Sequence, residues 1–595
     1  MGWGGEMACC GIMLSLRDTP CPISQPPGNP VTFLFRFKGR SPGLSSLIVA
    51  VSLLWQTLAV AGETPAALED PVAAGLQGMI REATHPRLRW ASILDVQPAL
   101  EQLYQGLGYR PLWVDQGRPT VQATRLMEVL GHARENGLNN EDYDSEALKQ
   151  WSAELASGPA PAKIVSFDLG LSVAVMRYAS NLYVGRVNPR HVNFGLDIEP
   201  KKLDLPLLLT ELMRSDAPAE RLQALEPKLK FYEHLKTALA RYTELATNNS
   251  SEVLDLPNKF SPGGHHPQVP KLRSLLVALG DLAAGAESHH PEIYDKTLEE
   301  GVKSFQERHG LQSDGVIGKN TLVQLNVPLS QRVQQIQLAL ERLRWLPEHI
   351  DGRHIVVNIP SFELFGFNDG SAKPDLVMNV IVGEAINERN TPVFHADMTY
   401  MIFRPYWNVP YKITAKEYVP LILRNPGYLG RNNLEMVSNF SPNSAVYEPN
   451  YDNVQLLSTG ALKLRQKPGP KNALGLVKFA FPNNNNVYLH STPSQGLFKR
   501  ARRDFSHGCI RVEHPVQLGE FVLKDQGGEW DAEKIKTAMN GDKQKTVTLK
   551  TAIPVYIFYS TVLADEAGKV EFFNDLYGHD VILQDQLAKG FPYPP

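Results

Sequence analysis

Residues 505–514 read FSHGCIRVEH and hold Cys509, the one cysteine of the chain beyond residue 21. A lone thiol is either a small buried apolar group or a nucleophile. The polar neighbours Ser506, His507 and Gly508 favour the second. Sulfur attacks as the thiolate, and a free thiol with a pKa of ~8.5 is mostly protonated at neutral pH, so a base has to stand beside it. Two imidazoles are candidates: His507, two residues upstream, and His490, at the end of the run NVYLH. Gly508 makes a bend between His507 and the cysteine, so strand alternation does not decide whether His507 faces the sulfur. The pairs His265-His266 and His289-His290 suggest a metal, but neither has the helical His-Glu-x-x-His arrangement of a zinc site, and no metal or cofactor is expected.

For His490 to reach Cys509, its strand must lie beside the one that begins at the cysteine. Apolar, β-branched and aromatic runs bounded by Gly, Pro and Asn predict strands over 354–367, 376–382, 398–403, 476–481, 487–490, 509–512 and 554–559. The fifteen residues between His490 and Ser506 are enough for a short helix and a return, and the run NNNN at 483–486 predicts a turn. Residues 412–475, rich in Asn, Pro, Gly and Leu, interrupt the strand series and predict an inserted lid with helices of its own. Trp407 and Tyr411, in RPYWNVPYKIT, are candidates for the cleft wall, with core packing the plainer role for Trp407. Lys499, Arg500, Arg502 and Arg503 either attract carboxylate-rich ligands or form a solvated face.

His490, fifteen residues, then Ser506-His507-Gly508-Cys509 resembles the signature of the L,D-transpeptidase family, and the flanks LVKFAFPNNNNVYLHSTP and CIRVEHP resemble that family's approach to its histidine and its exit from the cysteine. The resemblance implies that Cys509 is the nucleophile and His490 its general base, later the acid that protonates the leaving group. It also implies that the Ser491 carbonyl orients the imidazole and that amides around Gly508 and Cys509 are oxyanion donors. Ser506, His507 and Arg511 become supporting residues, the arginine on a substrate carboxylate. The implied partners are peptidoglycan peptide stems: a tetrapeptide donor that loses its terminal D-alanine, and a neighbouring stem's amine as acceptor, giving a 3→3 cross-link. Carbapenems are implied as acylating agents, and an envelope lipoprotein or other cell-wall enzymes as further partners. Sulfur suits two successive acyl transfers because it both attacks and leaves well. A hydrolase (an L,D-carboxypeptidase) on the same fold, with water as acceptor, is the chemical alternative. A noncatalytic wall-binding scaffold is the other, and an intact His490 and Cys509 argue against it.

Upstream the pattern is helical from about 66 to 259. Val121, Leu126, Val129, Leu130 and Ala133 recur at helical spacing ahead of Gly137, and residues 165–184 are apolar on most sides, as in a buried helix. Residues 104–120 carry turn punctuation around a short strand or two. After a Pro/Gly boundary at 258–270, Phe305-Gln306, His309-Gly310-Leu311, Asp314-Gly315, Ile317-Gly318 and Thr321 resemble the small three-helix peptidoglycan-binding module, its last helix capped near Asn320 or Thr321.

Composition bounds the rest. With 595 residues, 43% of them hydrophobic, and a net charge of −3, the chain is a multidomain globular protein without the basic excess of a nucleic-acid binder. Arg36, Lys38 and Arg40 precede the apolar run 47–55, and Ala59-Val60-Ala61 follows it, which predicts a cleaved secretory signal and a periplasmic protein. The run is shorter than the ~20 apolar residues that span a bilayer, so membrane contact is expected only through that signal. The fold class is multidomain α+β: signal 1–61, helical scaffold 62–262, peptidoglycan-binding module 263–328, mainly-β catalytic domain 329–585 with its insertion at about 412–475, and a tail 586–595.

Overall fold

A computed structural model of the chain describes residues 70–590 except 197–200, 250–252, 286–287, 372, 387–388, 442 and 528–529. The export signal read at 1–61 lies outside the described residues. Among them, no helix is long and apolar enough to cross a membrane. The last helix, His579–Ala588, runs on into the segment read as a tail.

The N-terminal region is helical. Pro71–Arg81, Val121–Gly131 and Ser145–Ala156 pack on Pro161–Tyr183, which is buried over most of its length, as its all-round apolar sequence requires. The helix Val121–Gly131 passes into a 3₁₀ turn that ends at Gly137, where φ is +70°. The turn-rich stretch 104–120 forms a two-residue hairpin, Val114–Asp115 with Arg118–Pro119. Asp168 of the central helix accepts from Tyr104 Oη (2.6 Å) and from the amides of Leu112 (3.1 Å) and Trp113 (2.6 Å), which ties the residues before that hairpin to the helix.

The small module is three helices, Val269–Leu279, Lys296–Arg308 and Lys319–Leu325. Its motif residues are structural. The Gln306 carboxamide donates to Asp314, the Val316 carbonyl and Thr321 Oγ1, and accepts from the Gly315 amide. The last helix starts at Lys319 with Gly318 as its cap, rather than near Asn320 or Thr321, because both of those lie inside the first turn and Thr321 is engaged by Gln306. His309 stacks between Phe305 and Phe572, which docks the module onto the hairpin Val562–Ala564/Val570–Phe572.

Among the described residues of the C-terminal part, eight strands close on themselves. Their order is Val477–Ala480, Leu489–His490, Ile510–Val512, Leu376–Gly383, Glu363–Phe367, His354–Asn358, Lys545–Phe558 and Val393–Phe403, which pairs back to Val477–Ala480. The run 354–367 is two antiparallel strands joined at 359–362. The strand expected at 554–559 begins at Lys545, since its first half is mostly exposed and polar and lacks an apolar signature. Phe194–Gly195, from the stretch read as scaffold, adds to this sheet in parallel with Val393–Phe394. The insertion is more than helical. It holds a four-stranded sheet (Trp407–Asn408, Lys463–Gln466, Leu434–Val437, Val446–Tyr447) with its own apolar core, and it begins before residue 412.

Candidate active site

The parallel pairing of Leu489–His490 with Ile510–Val512 sets the site. Leu489 stands opposite Ile510 and His490 opposite Arg511. Leu489, Ile510 and Phe479 are fully buried in the apolar core, so alternation puts Tyr488, His490, Cys509 and Arg511 on the other face. Lys478, paired with His490 from the third strand, joins them. Five polar or reactive side chains thus share one face over three strands.

His490 is buried, and its Nδ1 meets the Ser491 carbonyl at 2.5 Å, which assigns the proton to Nδ1 and leaves Nε2 as the basic nitrogen. Ser491 is held by its amide on the Val477 carbonyl (3.0 Å) and by Gly475, where φ is +62° and a Cβ would lie 2.6 Å from Ser491 Oγ. Only glycine fits there. Burial, then the charges of Arg511 and Lys478, bring the imidazole pKa down to about 3. Burial also pushes the Cys509 thiol up, against the Tyr488 amide and phenol and the cations Lys478 and Arg511, which favour the thiolate. At rest both partners are neutral. The thiol donates to the Asn486 carbonyl, 3.7 Å away. Asn486 has φ +56° in the NNNN turn, which Asn483 organises by accepting from the Asn485 (3.0 Å) and Val487 (3.2 Å) amides.

The turn before the cysteine is built from its own polar groups. Ser506 is buried, donates to the Cys509 carbonyl (2.5 Å) and accepts from the Gly508 amide (3.1 Å). That hydroxyl therefore shapes the turn, and the Gly508 amide, read as an oxyanion donor, is already engaged. Gly508 has φ +110°, and its carbonyl accepts from Thr391 Oγ1 (2.8 Å). Thr391 Oγ1 also accepts from the Gly383 amide (2.9 Å), and Tyr577 Oη donates to the Gly383 carbonyl (2.7 Å).

His507 points to the insertion, where its Nε2 donates to Glu417 Oε1 (2.8 Å). Arg389 reaches the same oxygen (2.7 Å) and donates to Glu384 (3.0 Å). Arg511 is half-buried, donates to the Phe505 carbonyl (3.3 Å) and feels Cys509 and Glu384 electrostatically. Trp407 meets Tyr418 of the insertion edge-on (6.0 Å) and hydrogen-bonds Tyr488, so it stands between the insertion's core and the site. Tyr411 is exposed and donates to the Ser458 carbonyl (2.8 Å) within the insertion. In the basic cluster, Arg502 pairs with Asp504 (2.6 Å) and Arg503 donates to main-chain carbonyls, while Lys499 and Arg500 are exposed. The two histidine pairs form no metal cluster among the described residues; His265 instead pairs with Glu292 (2.8 Å).

Sequence reasoning passed over Lys478, Tyr488, Gly475, Thr391, Tyr577 and Glu417. Lys478 carried a signal, being the single charge within an otherwise apolar strand next but one to the cysteine.

The site is thus a thiol and an imidazole on one face of a closed β-structure, with an inserted subdomain latched across their turn. Comparison with known proteins gives matches over three separate regions. Residues 352–557 match the model of the L,D-transpeptidase catalytic domain, 265–325 match one described as "Putative peptidoglycan binding domain", and 98–239 match a scaffold domain. Successive regions of the chain thus match a scaffold domain, a peptidoglycan-binding domain and the L,D-transpeptidase catalytic domain. A Haemophilus influenzae protein named "Putative L,D-transpeptidase" is 31% identical over 251 residues, 42% of this chain and 49% of that one. The chain thus spans about half the length of that relative. Two solved structures are also similar. The L,D-transpeptidase from Xylanimonas cellulosilytica is 15% identical at TM-score 0.15, covering 51% of this chain and 100% of that one. That from Stackebrandtia nassauensis is 14% identical at TM-score 0.20, covering 52% and 97%.

Proposed function

We propose that this protein is a periplasmic L,D-transpeptidase that forms 3→3 peptidoglycan cross-links through a thioester on Cys509. The observation that carries the reading is the shared face of His490 and Cys509 on paired strands, with Nδ1 of the imidazole fixed by the Ser491 carbonyl. In the first step Cys509 Sγ attacks the carbonyl that links the donor's L,D-diamino acid to the terminal D-alanine. His490 Nε2 takes the thiol proton and passes it to the departing amine, the C–N bond breaks and the thioester forms. In the second step the acceptor's side-chain amine attacks the thioester. The C–S bond breaks, the amine's proton returns by way of His490 to sulfur, and an amide cross-link remains. Lys478 and Arg511 favour negative charge on sulfur during both steps. The inserted subdomain, latched through Glu417, screens the thioester from water in favour of the amine.

The test is mass spectrometry of purified disaccharide-tetrapeptides incubated with the enzyme. Loss of alanine with dimer formation is expected. Loss without dimers would mean a hydrolase, and no loss a noncatalytic scaffold. Cys509→Ala is expected to keep its association with sacculi and to form no adduct with a carbapenem; an adduct of unchanged yield would end the assignment of the nucleophile.

A further inference from the structure

A cavity of about 320 Å³ lies among the small module's last helix, the long helix Leu329–Arg344 and the C-terminal helix His579–Ala588. It shares no residue with the Cys509 site. Carboxamides and a guanidinium dominate its wall: Gln324, Gln331, Gln335 and Asn574 line it with Arg332, beside the ring of Phe573. Gln324 Nε2 donates to Asn574 Oδ1 (2.8 Å), so the wall spans the junction between the module and the catalytic part.

Arg332 is the unusual member. It is 5% exposed, donates to Gln335 Oε1 (2.8 Å) and to the carbonyl (3.1 Å) and Oε1 (2.7 Å) of Gln324, and lies 4.7 Å from the Phe572 ring centre. Among the described residues it has no ion-pair partner, whereas the buried Arg308, Arg342 and Arg344 pair with Asp281, Asp580 and Glu341. Burial pulls its pKa down to about 9, and the neighbouring charge of Arg308 acts the same way. Two carboxylates also line the cavity, and neither pairs with Arg332 among the described residues. Asp580 accepts from Arg342 and Thr561, and Asp575 accepts from Tyr559 Oη and the Asp580 amide. A buried cation without a counter-charge opposes folding, and a ligand that brings the counter-charge relieves it.

We propose that this cavity binds a carboxylate-bearing, amide- and hydroxyl-rich ligand, the chemistry of a peptidoglycan peptide stem or of its acidic amino sugar. The carboxylate meets Arg332, the carboxamides offer both donors and acceptors to amides and hydroxyls, and Phe573 supplies an apolar face. The volume sits at the low end of the ~300–1,000 Å³ of small-ligand sites, so one end of the ligand enters and the rest runs out along the junction. The ligand class rests on the function proposed above; the preference for an anion rests on Arg332 alone.

The experiment is calorimetric titration of the full chain carrying Cys509→Ala, which prevents turnover, with a disaccharide-tetrapeptide and with the same fragment after its carboxylates are amidated. Arg332→Met is expected to weaken one binding event at least tenfold. Because removing a buried arginine threatens folding, Gln331→Glu, at an exposed position on the rim, provides an independent variant and is expected to act in the same direction. Binding of the free tetrapeptide would identify the stem as the ligand, and binding of the disaccharide alone would identify the sugar. Unchanged binding in the folded variants, or equal binding of the amidated fragment, overturns the proposal. If the unaltered chain forms no carbapenem adduct while Arg332-dependent binding persists, the catalytic reading falls and this site stands.

Discussion

The protonation state of two side chains decides how the site works. His490 titrates at about 3 because burial disfavours its charged form and Arg511 and Lys478 repel it, against the pull of the Ser491 and Leu474 carbonyls. Burial raises the thiol. Between pH 5 and 8 neither group changes charge, so no thiolate–imidazolium pair waits at rest, and the proton leaves sulfur only as the carbonyl carbon is attacked. The rate of Cys509 acylation by a carbapenem is therefore expected to be flat from pH 5 to 8 and to rise above that range as the thiol begins to ionise. Stopped-flow acylation at constant ionic strength measures it. An acid limb centred near pH 6.5 would mean an imidazole that titrates as if solvated, contrary to its burial. That His490 is a partner of Cys509 was legible only through the family signature, since spacing alone left His507 open as well. Lys478 and Gly475 were not, because their importance comes from lateral register and from one close approach to Ser491, neither of which leaves a periodic trace.

At the scale of elements, the inserted subdomain is attached at the catalytic turn through one carboxylate. Glu417 takes hydrogen bonds from His507, next to the cysteine's glycine, and from Arg389, which also holds Glu384. Glu417→Gln keeps the shape and removes the charge. Hydrogen bonds to charged groups are worth about 1.5–3 kcal/mol, so amide exchange over residues 411–431 is expected to speed up by roughly tenfold or more. Mass-spectrometric hydrogen exchange reads this directly, and unchanged exchange would show that the insertion's apolar core holds it in place unaided. The insertion was visible in the sequence as a break in the strand series, and its sheet was not. Its strands are two to four residues long, and Lys463–Gln466 is polar enough to read as loop.

For the whole molecule, the question is whether scaffold and catalytic parts stand as separate bodies in one chain. Two features join them. Phe194 sits on the edge of the catalytic sheet against Trp345, Phe558, Tyr559 and His579. Glu341, fully buried in the helix Leu329–Arg344, accepts from the amides of Arg186 and Val187 and from the guanidinium groups of Arg186 and Arg344. Burial acts to raise this carboxyl, yet Arg186, Arg344 and the two amides hold it below the usual range. The sequence, read as consecutive segments, offered no hint of either feature, because the partners lie about 150 or more residues apart and each segment looks self-sufficient in its own apolar pattern. Glu341→Ala removes the buried carboxylate that the guanidinium groups of Arg186 and Arg344 share, and breaking a buried pair costs about 3–5 kcal/mol. Because the loss falls on the joint, it is expected to lower the melting temperature of both parts together. Calorimetry of the unaltered chain is expected to show the scaffold and catalytic parts melting in one transition, and Glu341→Ala to shift that transition down. Two well-separated transitions in the unaltered chain would mean that the Phe194 strand and the Glu341 cluster break before either core does, and that the joint carries no load.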